Sequence, residues 1–520
     1  MKKFVLLFAL LLLITTISAQ QEKYSRIEFY ADISDLAALF ESGIAIDDAY
    51  PLKHGVFIAE FSESELKDFQ DLGISYKILV DDMASFYVER NETQMDFKSI
   101  QSPGDYPIPE NFELGSMGGF CTNDEMIDHL DNMFSLFPNL ITQKAVAGTT
   151  LEGREIYWVK ISDNPNLNED EPEVLYNGMH HAREPIGMQL LLYYMYYLLE
   201  NYDTDEEVQY LVDNREMFFI PVINVDGYEY NRFTNPSGGG MWRKTRRDNG
   251  NGSYGVDPNR NYDYKWGYDN SGSSPDPWDE TYRGPYAFSE PCIQTMRDFC
   301  FDNDFKIALN YHSYSNLLLY PWGYTEDPCP DDDIFFAWSQ LMTEENGYTY
   351  GAGSTTIYPT NGGSDDWMYG EQDEKDLIFS YTPEVGNSND GFWPAQSRII
   401  PLCQENMLAN FLAAHFAGDY ASVEDLSPLT IEDISGNIDF MIKRLGLSDT
   451  AVFTVSLTAI SPEITSTGNP VEFSGLTMLE EENGSIAYEL EAGIENGTEL
   501  QFLLSIDNGA YEKSDTLIKV

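Results

Sequence analysis

The sequence predicts an α/β protein, with a small α+β unit ahead of a layered core and an all-β module behind it. Three observations predict this. The middle of the chain alternates apolar runs of strand length with apolar or amphipathic helical stretches, the pattern of a sheet buried on both faces. Before it, strands and helices alternate within about 80 residues. After about Ser427 helical periodicity disappears, and short strands recur between Gly, Asn and Pro turns. A length of 520 residues suits about three domains. The net charge is −57, yet 42% of residues are hydrophobic and 14% aromatic, too much core material for a disordered acidic chain. That charge repels phosphate backbones and anionic lipid, which excludes nucleic acid as a partner.

The elements follow in order. Lys2 and Lys3 precede the apolar run Phe4 to Ile14, and Ala19 offers a small cleavage residue, so residues 1–19 read as a secretory signal peptide and the protein as secreted. No Cys lies near the cut, which argues against a lipid anchor. Residues 20–105 read as the α+β unit and its linker. Strands are expected at Arg26 to Ile33, Gly55 to Phe61 and Ser75 to Val80, with a helix at Ser34 to Glu41. Ser62, with Glu65 three positions on, is a capping box that opens a second helix. A polar stretch from Asn91 to Glu110 reads as linker.

Residues 115–420 form the layered core. Val174 to Tyr176, Phe218 to Ile223, Ile307 to Leu309 and Leu377 to Phe379 read as buried strands, and Met188 to Glu200 and Gln404 to His415 as helices. The run Ile186 to Leu199 is too short for a membrane span and reads as a core helix. The loop from Gly238 to Asn270 is long enough to be functional. Residues 427–520 read as a β-sandwich, with strands at Ala451 to Leu457, Ile486 to Leu490 and Leu500 to Ile506. Five cysteines permit one or two disulfides in an exported chain. The acidic loops permit Ca²⁺, although none carries a specific calcium pattern.

The chemistry concentrates in the core. His is scarce, six in the chain, and His180-His181-Ala182-Arg183-Glu184 follows a strand and precedes a helix. Such a turn aims His181 and Glu184 into a cleft at the carboxyl edge of the sheet, and two His plus one Glu is a catalytic zinc set. Alone, a His-x-x-Glu pair is weak. It is joined by Trp242-Arg243-Lys244-Thr245-Arg246, by Asp257-Pro258-Asn259-Arg260, and by His312 after the strand Lys306 to Tyr311. Tyr358, the segment Gly362-Gly363-Ser364-Asp365-Asp366-Trp367, and Glu384 at a strand end complete the set.

In order and spacing this set resembles the zinc metallocarboxypeptidase family of carboxypeptidases A, B and T, over roughly 300 residues from Gly115 to Asp419. The resemblance implies an α/β/α sandwich around a mixed eight-stranded sheet. It implies zinc ligands His181, Glu184 and His312, with Glu384 as general base and Arg243 polarising the carbonyl. Asn259 and Arg260 would bind the terminal carboxylate, with Tyr358 as the mobile tyrosine and Arg183 holding longer peptides. Asp365 falls at the base of the terminal side-chain pocket, with Gly323 and Gly353 along it, which implies preference for C-terminal Lys or Arg, or for both basic and hydrophobic ends. A metal with three protein ligands keeps a position open for the attacking water. The partners implied are peptides with a free C-terminus. Residues 20–105 are placed like the family's inhibitory propeptide, which would require an activating protease. Two other readings are a peptidase or deacylase of the same fold acting on peptidoglycan stem peptides or amides, and an adhesive protein that uses the fold as scaffold.

Overall fold

The computed structural model describes residues 22–44, 46, 50–51, 55–91 and 106–520; the expected signal peptide and most of the expected linker lie outside them. The first unit is a four-stranded antiparallel sheet of β1 (Tyr24–Tyr30), β2 (Tyr50–Pro51), β3 (Val56–Ser62) and β4 (Tyr76–Val80), ordered β2-β3-β1-β4. Ser62 caps the helix Glu63–Asp71, and the Glu65 carboxylate accepts back from the Ser62 N–H, so the capping box forms as its local pattern dictates. Phe69 of this helix packs edge to face on Phe29 of β1 and tilted on Phe61 of β3, and Phe29 and Phe61 meet edge to face. A further helix, Met83–Glu89, follows β4.

The central sheet has eight strands: β5 (Ala145–Thr149), β6 (Glu155–Ile161), β7 (Glu173–Gly178), β8 (Glu216–Ile220), β9 (Phe305–Tyr311), β10 (Leu317–Tyr320), β11 (Thr349–Ala352) and β12 (Phe379–Glu384). Their order is β11-β10-β12-β9-β7-β8-β6-β5. The inner run β8-β7-β9-β12 is parallel, and β6 and β10 join it antiparallel, so the sheet is mixed. Every residue of β7, β8 and β12 is buried, because helices cover both faces. The helix Ile186–Asn201 is buried from Ile186 to Leu199; its 16 residues reach only ~24 Å, and it serves as core. Gly187 lets it approach β9: a Cβ there would sit 2.9 Å from that of Tyr311. Among the described residues no helix is long and apolar enough to cross a membrane.

Some boundaries differ from expectation. The helix expected at Gln404 to His415 is two helices, Gln396–Glu405 and Met407–Phe416, broken at Asn406. All five cysteines are buried and unpaired. They sit in a core large enough to hold without staples, so the permitted disulfides are not made. The acidic loops do gather one cluster: ligand atoms of Asp163, Glu169 and Glu171 lie within 4.8 Å of one another.

The last unit is a two-sheet sandwich of β13 (Ala421–Asp425), β14 (Ser435–Arg444), β15 (Val452–Ala459), β16 (Ile464–Thr467), β17 (Val471–Ser474), β18 (Glu481–Leu490), β19 (Leu500–Asp507) and β20 (Glu512–Lys519). The sheets are β13-β14-β18-β16 and β17-β15-β19-β20. Alternate residues such as Ile438, Phe440 and Ile442 fill the space between them. β13 begins ahead of the expected start at residue 427, so the sandwich follows the last core helix almost directly. It joins the core through Trp338 Nε1, which donates to the Leu445 carbonyl at 2.8 Å, and a Tyr210–Tyr511 stack.

Candidate active site

The site grows from the carboxyl ends of β7, β9 and β12. Buried amides lock these ends: Asn177 Nδ2 donates to Asn310 Oδ1 at 2.7 Å, and Asn310 Nδ2 to Ser380 Oγ at 2.8 Å. Beyond β7 the chain turns sharply at Met179, whose φ of 60° places it in the left-handed region. That turn carries His181 and Glu184 before the helix begins at Ile186. Side-chain amides hold it in place: Asn224 donates to the His180 carbonyl at 3.1 Å and Asn231 to the Ala182 carbonyl at 2.9 Å. His312 follows β9 and bridges Glu384 at the end of β12, so both sit at one level of the sheet edge.

Three side chains converge there. His181 Nδ1 lies 2.8 Å from Glu184 Oε1, His312 Nδ1 lies 3.0 Å from Glu184 Oε2, and the two Nδ1 atoms are 3.1 Å apart. All three residues are buried. Zinc holding nitrogen and oxygen at ~2.0–2.2 Å in a tetrahedron spaces its ligands about 3.3 Å apart, close to this triangle. One shared proton cannot satisfy two imidazole nitrogens and a carboxylate, whereas a cation between them can, so the residues present fit zinc. Glu184 is held well below its usual range: burial opposes ionisation, but His181 and His312 outweigh it. His180 stands aside, its Nε2 2.8 Å from the Tyr262 hydroxyl.

Behind the triangle lies Asp257, which the sequence reading passed over. Its Oδ1 sits 3.2 Å from His181 Nε2 and accepts the Asn259 N–H at 2.9 Å, and its Oδ2 accepts from Arg243 Nη2 at 2.9 Å. One carboxylate thus orients a metal-facing histidine, Arg243 and the Asn259 backbone together. Burial would raise its pKa, but Arg243, then Arg260 and His181, hold it well below the carboxylate range. The available signal was its position two residues before Asn259 in a basic segment.

The other expected residues gather around this centre. Arg260 Nη2 lies 3.4 Å from the Tyr358 hydroxyl, and Asn259 Oδ1 accepts the Ser364 N–H at 2.8 Å, which ties the Asn-Arg pair to the segment carrying Asp365. Asp365 is half-buried in the first turn of the helix Ser364–Gly370, and Oδ1 accepts the Asp366 N–H at 3.0 Å. Asp366 instead accepts the Gly323 and Tyr324 N–H groups at 2.7 and 3.1 Å. The Arg183 guanidinium stacks on Phe392 at 4.0 Å.

The first unit packs over this face. Tyr358 is buried in that unit's apolar cluster, with Phe40 stacked on its ring at 4.1 Å. Tyr24 lies 5.9 Å from the Arg183 guanidinium. Tyr87 accepts the Phe392 N–H at 2.9 Å, and Arg90 donates to the Asn389, Asp390 and Trp393 carbonyls.

The sequence profile described as zinc carboxypeptidase matches residues 126–409, more than half the chain. This chain belongs to the zinc carboxypeptidase family. The family's cofactor is zinc, and the triangle of His181, Glu184 and His312 is of its type. Rat carboxypeptidase A1 is 30% identical over 74% of this chain and 86% of its own. Dog carboxypeptidase B is 36% identical over 52% of this chain, a match that spans 64% of the dog protein. The crystal structure of carboxypeptidase A from Helicoverpa armigera shares the fold, with a TM-score of 0.60 at 21% identity over 76% of this chain and 98% of its own. The enzyme is accordingly a metallocarboxypeptidase, a hydrolase acting on peptides.

Proposed function

We propose that the protein is secreted and removes C-terminal residues from peptides, with preference for Lys and Arg or for both basic and hydrophobic ends. The observation that carries this is the His181, Glu184, His312 triangle at the same sheet edge as Glu384 and behind it the Asp257–Arg243 pair. Zinc, when bound, supplies Lewis acidity to a water and to the scissile carbonyl. Glu384 takes the water's proton and passes it to the leaving amine. Arg243, fixed by Asp257 in a buried setting, stabilises the charge that develops on the carbonyl oxygen. Asn259 and Arg260, with Tyr358, bind the free carboxylate, which limits cleavage to the last residue. Arg183 holds the preceding part of the peptide, and Asp365 receives a basic terminal side chain.

The first unit keeps the enzyme latent until a protease removes it. The support is its position: Phe40 on Tyr358 and Tyr24 near Arg183 occupy the face that a peptide would use. The apolar run after Lys2 and Lys3 supports export. Metal analysis and a peptide panel, run before and after limited proteolysis and with and without chelator, test the whole reading. One zinc per chain and chelator-sensitive release of single C-terminal amino acids, faster after proteolysis, are expected. Release of internal fragments or of stem-peptide products alone would overturn it, as would equal activity of intact and trimmed forms for the latency.

A further inference from the structure

Glu290 stands at the N-cap position of the helix Pro291–Asp302, yet its carboxylate makes no cap hydrogen bond among the described residues. A side-chain oxygen at that position ordinarily accepts one of the helix's free N–H groups. This one is fully buried and turns the other way, towards the loop that carries the site's arginines. It accepts from Thr245 Oγ1 at 2.7 Å, Arg247 Nε at 2.6 Å and Ser289 Oγ at 2.9 Å. We propose that Glu290 is a positioning residue for the reaction, holding Arg243 and Arg260 in place from outside the site. The proposal rests on the carboxypeptidase reading and adds to it what keeps its two arginines in register.

The loop needs such a tie. Among the described residues the only helix or strand between positions 238 and 290 is the single turn Pro258–Arg260, and no cysteine lies there. Arg243, Asp257, Asn259 and Arg260 all ride on it. A connection of that length is mobile unless fastened, whereas groups that stabilise developing charge must be held to within about 0.5 Å. Asp257 links Arg243 to the Asn259 N–H from within. Glu290 fastens the loop from without, to a helix that is itself fixed: Ile293 and Met296 are buried in the central core, and a Cβ at Gly148 of β5 would collide with Thr295.

One arm runs to Arg243. The Thr245 hydroxyl donates to Glu290 and accepts the Val256 N–H at 3.1 Å, and the Thr245 N–H donates to the Val256 carbonyl at 2.9 Å. The chain two residues beyond Arg243 is thereby clasped to the residue just before Asp257. A carboxylate accepts only, so Thr245 must give it the hydroxyl proton and keep a lone pair for Val256. Arg247, which also donates to the Ser289 carbonyl, supplies the countercharge that a buried carboxylate requires.

The other arm runs to Arg260. The Glu290 N–H donates to Asn261 Oδ1 at 3.0 Å, and Ser289 Oγ, which donates to Glu290, accepts from Asn261 Nδ2 at 3.0 Å. Asn261, the neighbour of Arg260, also donates to the Arg283 and Tyr286 carbonyls at 2.8 and 3.1 Å. Gly284 permits this close approach: its φ is 86°, and a Cβ there would sit 2.5 Å from Ser289 Oγ and 2.8 Å from Asn261 Nδ2. In Glu290→Gln the amide nitrogen must face either Arg247 or the Thr245 hydroxyl proton, so part of this frame opens while the side chain keeps its size.

The test compares wild type, Glu290→Gln, Thr245→Val and Thr245→Ser as zinc-loaded full chains after limited proteolysis. Each is assayed for kcat and KM on one peptide, for zinc by chelator competition, and for folded fraction by circular dichroism. Glu290→Gln should stay folded, keep zinc, and lose about 10- to 100-fold in kcat/KM through a lower kcat and a higher KM, since both arginines shift. Thr245→Val, which opens only the Arg243 arm, should lower kcat and leave KM unchanged, and Thr245→Ser, which keeps the hydroxyl, should restore kcat. Normal kcat and KM in folded Glu290→Gln overturn the proposal, as does a loss that merely follows the unfolded fraction. Should Glu290→Gln fail to fold, the Thr245 pair decides: equal turnover of the Val and Ser variants overturns it. Should wild type release no amino acid, the activity reading has failed and binding decides. The peptide and its C-terminal amide are then titrated into the same proteins while tryptophan fluorescence is followed. A wild-type preference for the free acid that Glu290→Gln loses supports the positioning role; no preference, or one that the variant keeps, overturns it.

Discussion

On the proposed role of Asp365 as receiver of a basic side chain, Asp365→Ala is expected to shift the choice of terminal residue away from Lys and Arg. The neighbouring carboxylate of Asp366 is used up on the Gly323 and Tyr324 N–H groups, whereas Asp365 gives one oxygen to the Asp366 N–H and has no hydrogen bond on the other among the described residues. Burial raises the pKa of Asp365, so its charge is costly until a cation arrives. A guanidinium about 4 Å away gains ~4 kcal/mol at an effective dielectric of ~20. Stripping water from both charges takes back about half, which leaves roughly 2 kcal/mol. That converts to ~30-fold in kcat/KM for a C-terminal Arg. Phe-terminated peptides, which leave the carboxylate unmatched, should be unharmed or improved. The assay is the rate of amino-acid release from matched peptides ending in Arg, Lys, Leu or Phe. Because burial raises the pKa of this carboxyl group, the proposed preference for Arg should also fade on acidification sooner than an ordinary aspartate would allow. An Arg-to-Phe ratio that Asp365→Ala leaves unchanged would refute the reasoning and leave the carboxypeptidase activity standing.

Glu384→Gln should keep zinc and bound peptide but lose at least ~10²-fold in turnover, since it removes the proton acceptor without touching a ligand; a loss of only a few-fold in stopped assays would point to another base. Asp257→Asn should weaken zinc binding by ~10- to 100-fold in chelator competition, because His181 and Arg243 lose one orienting charge; unaltered zinc affinity would mean the contact is incidental. Glu65, buried where the first unit meets the core, has its pKa raised to about 8 by burial and then by Glu280. The folded form therefore holds a proton that the unfolded chain releases near pH 4.5, so the stabilisation is complete below that value and is lost as pH rises towards about 8. Scanning calorimetry should show the transition of the first unit falling between pH 5 and 8 in the wild type and nearly flat in Glu65→Gln; parallel slopes would contradict this.

Features set by near neighbours in the chain were legible from the residues alone. The capping box of Ser62 and Glu65 forms because both hydrogen bonds close within four residues. The helix Ile186–Asn201 was legible as core because it is apolar all round and too short for a bilayer. His181 and Glu184 were legible because a three-residue spacing after a strand puts both on one turn. Tertiary structure alone decided the rest. Asp257 joins His181, Arg243 and Asn259 across up to 76 residues, and no local pattern announces that return. Tyr358 belongs to the core of the catalytic unit in chain order, yet its ring is buried against Phe40 more than 300 residues away. Likewise, Arg246 reads in the sequence as one basic residue among several, and only the fold shows its guanidinium set against the rings of Tyr230, Trp242 and Tyr254. Local hydrogen bonds and periodicity are fixed by positions a few residues apart, whereas the partner of a buried charge is set by where distant segments of chain come to pack.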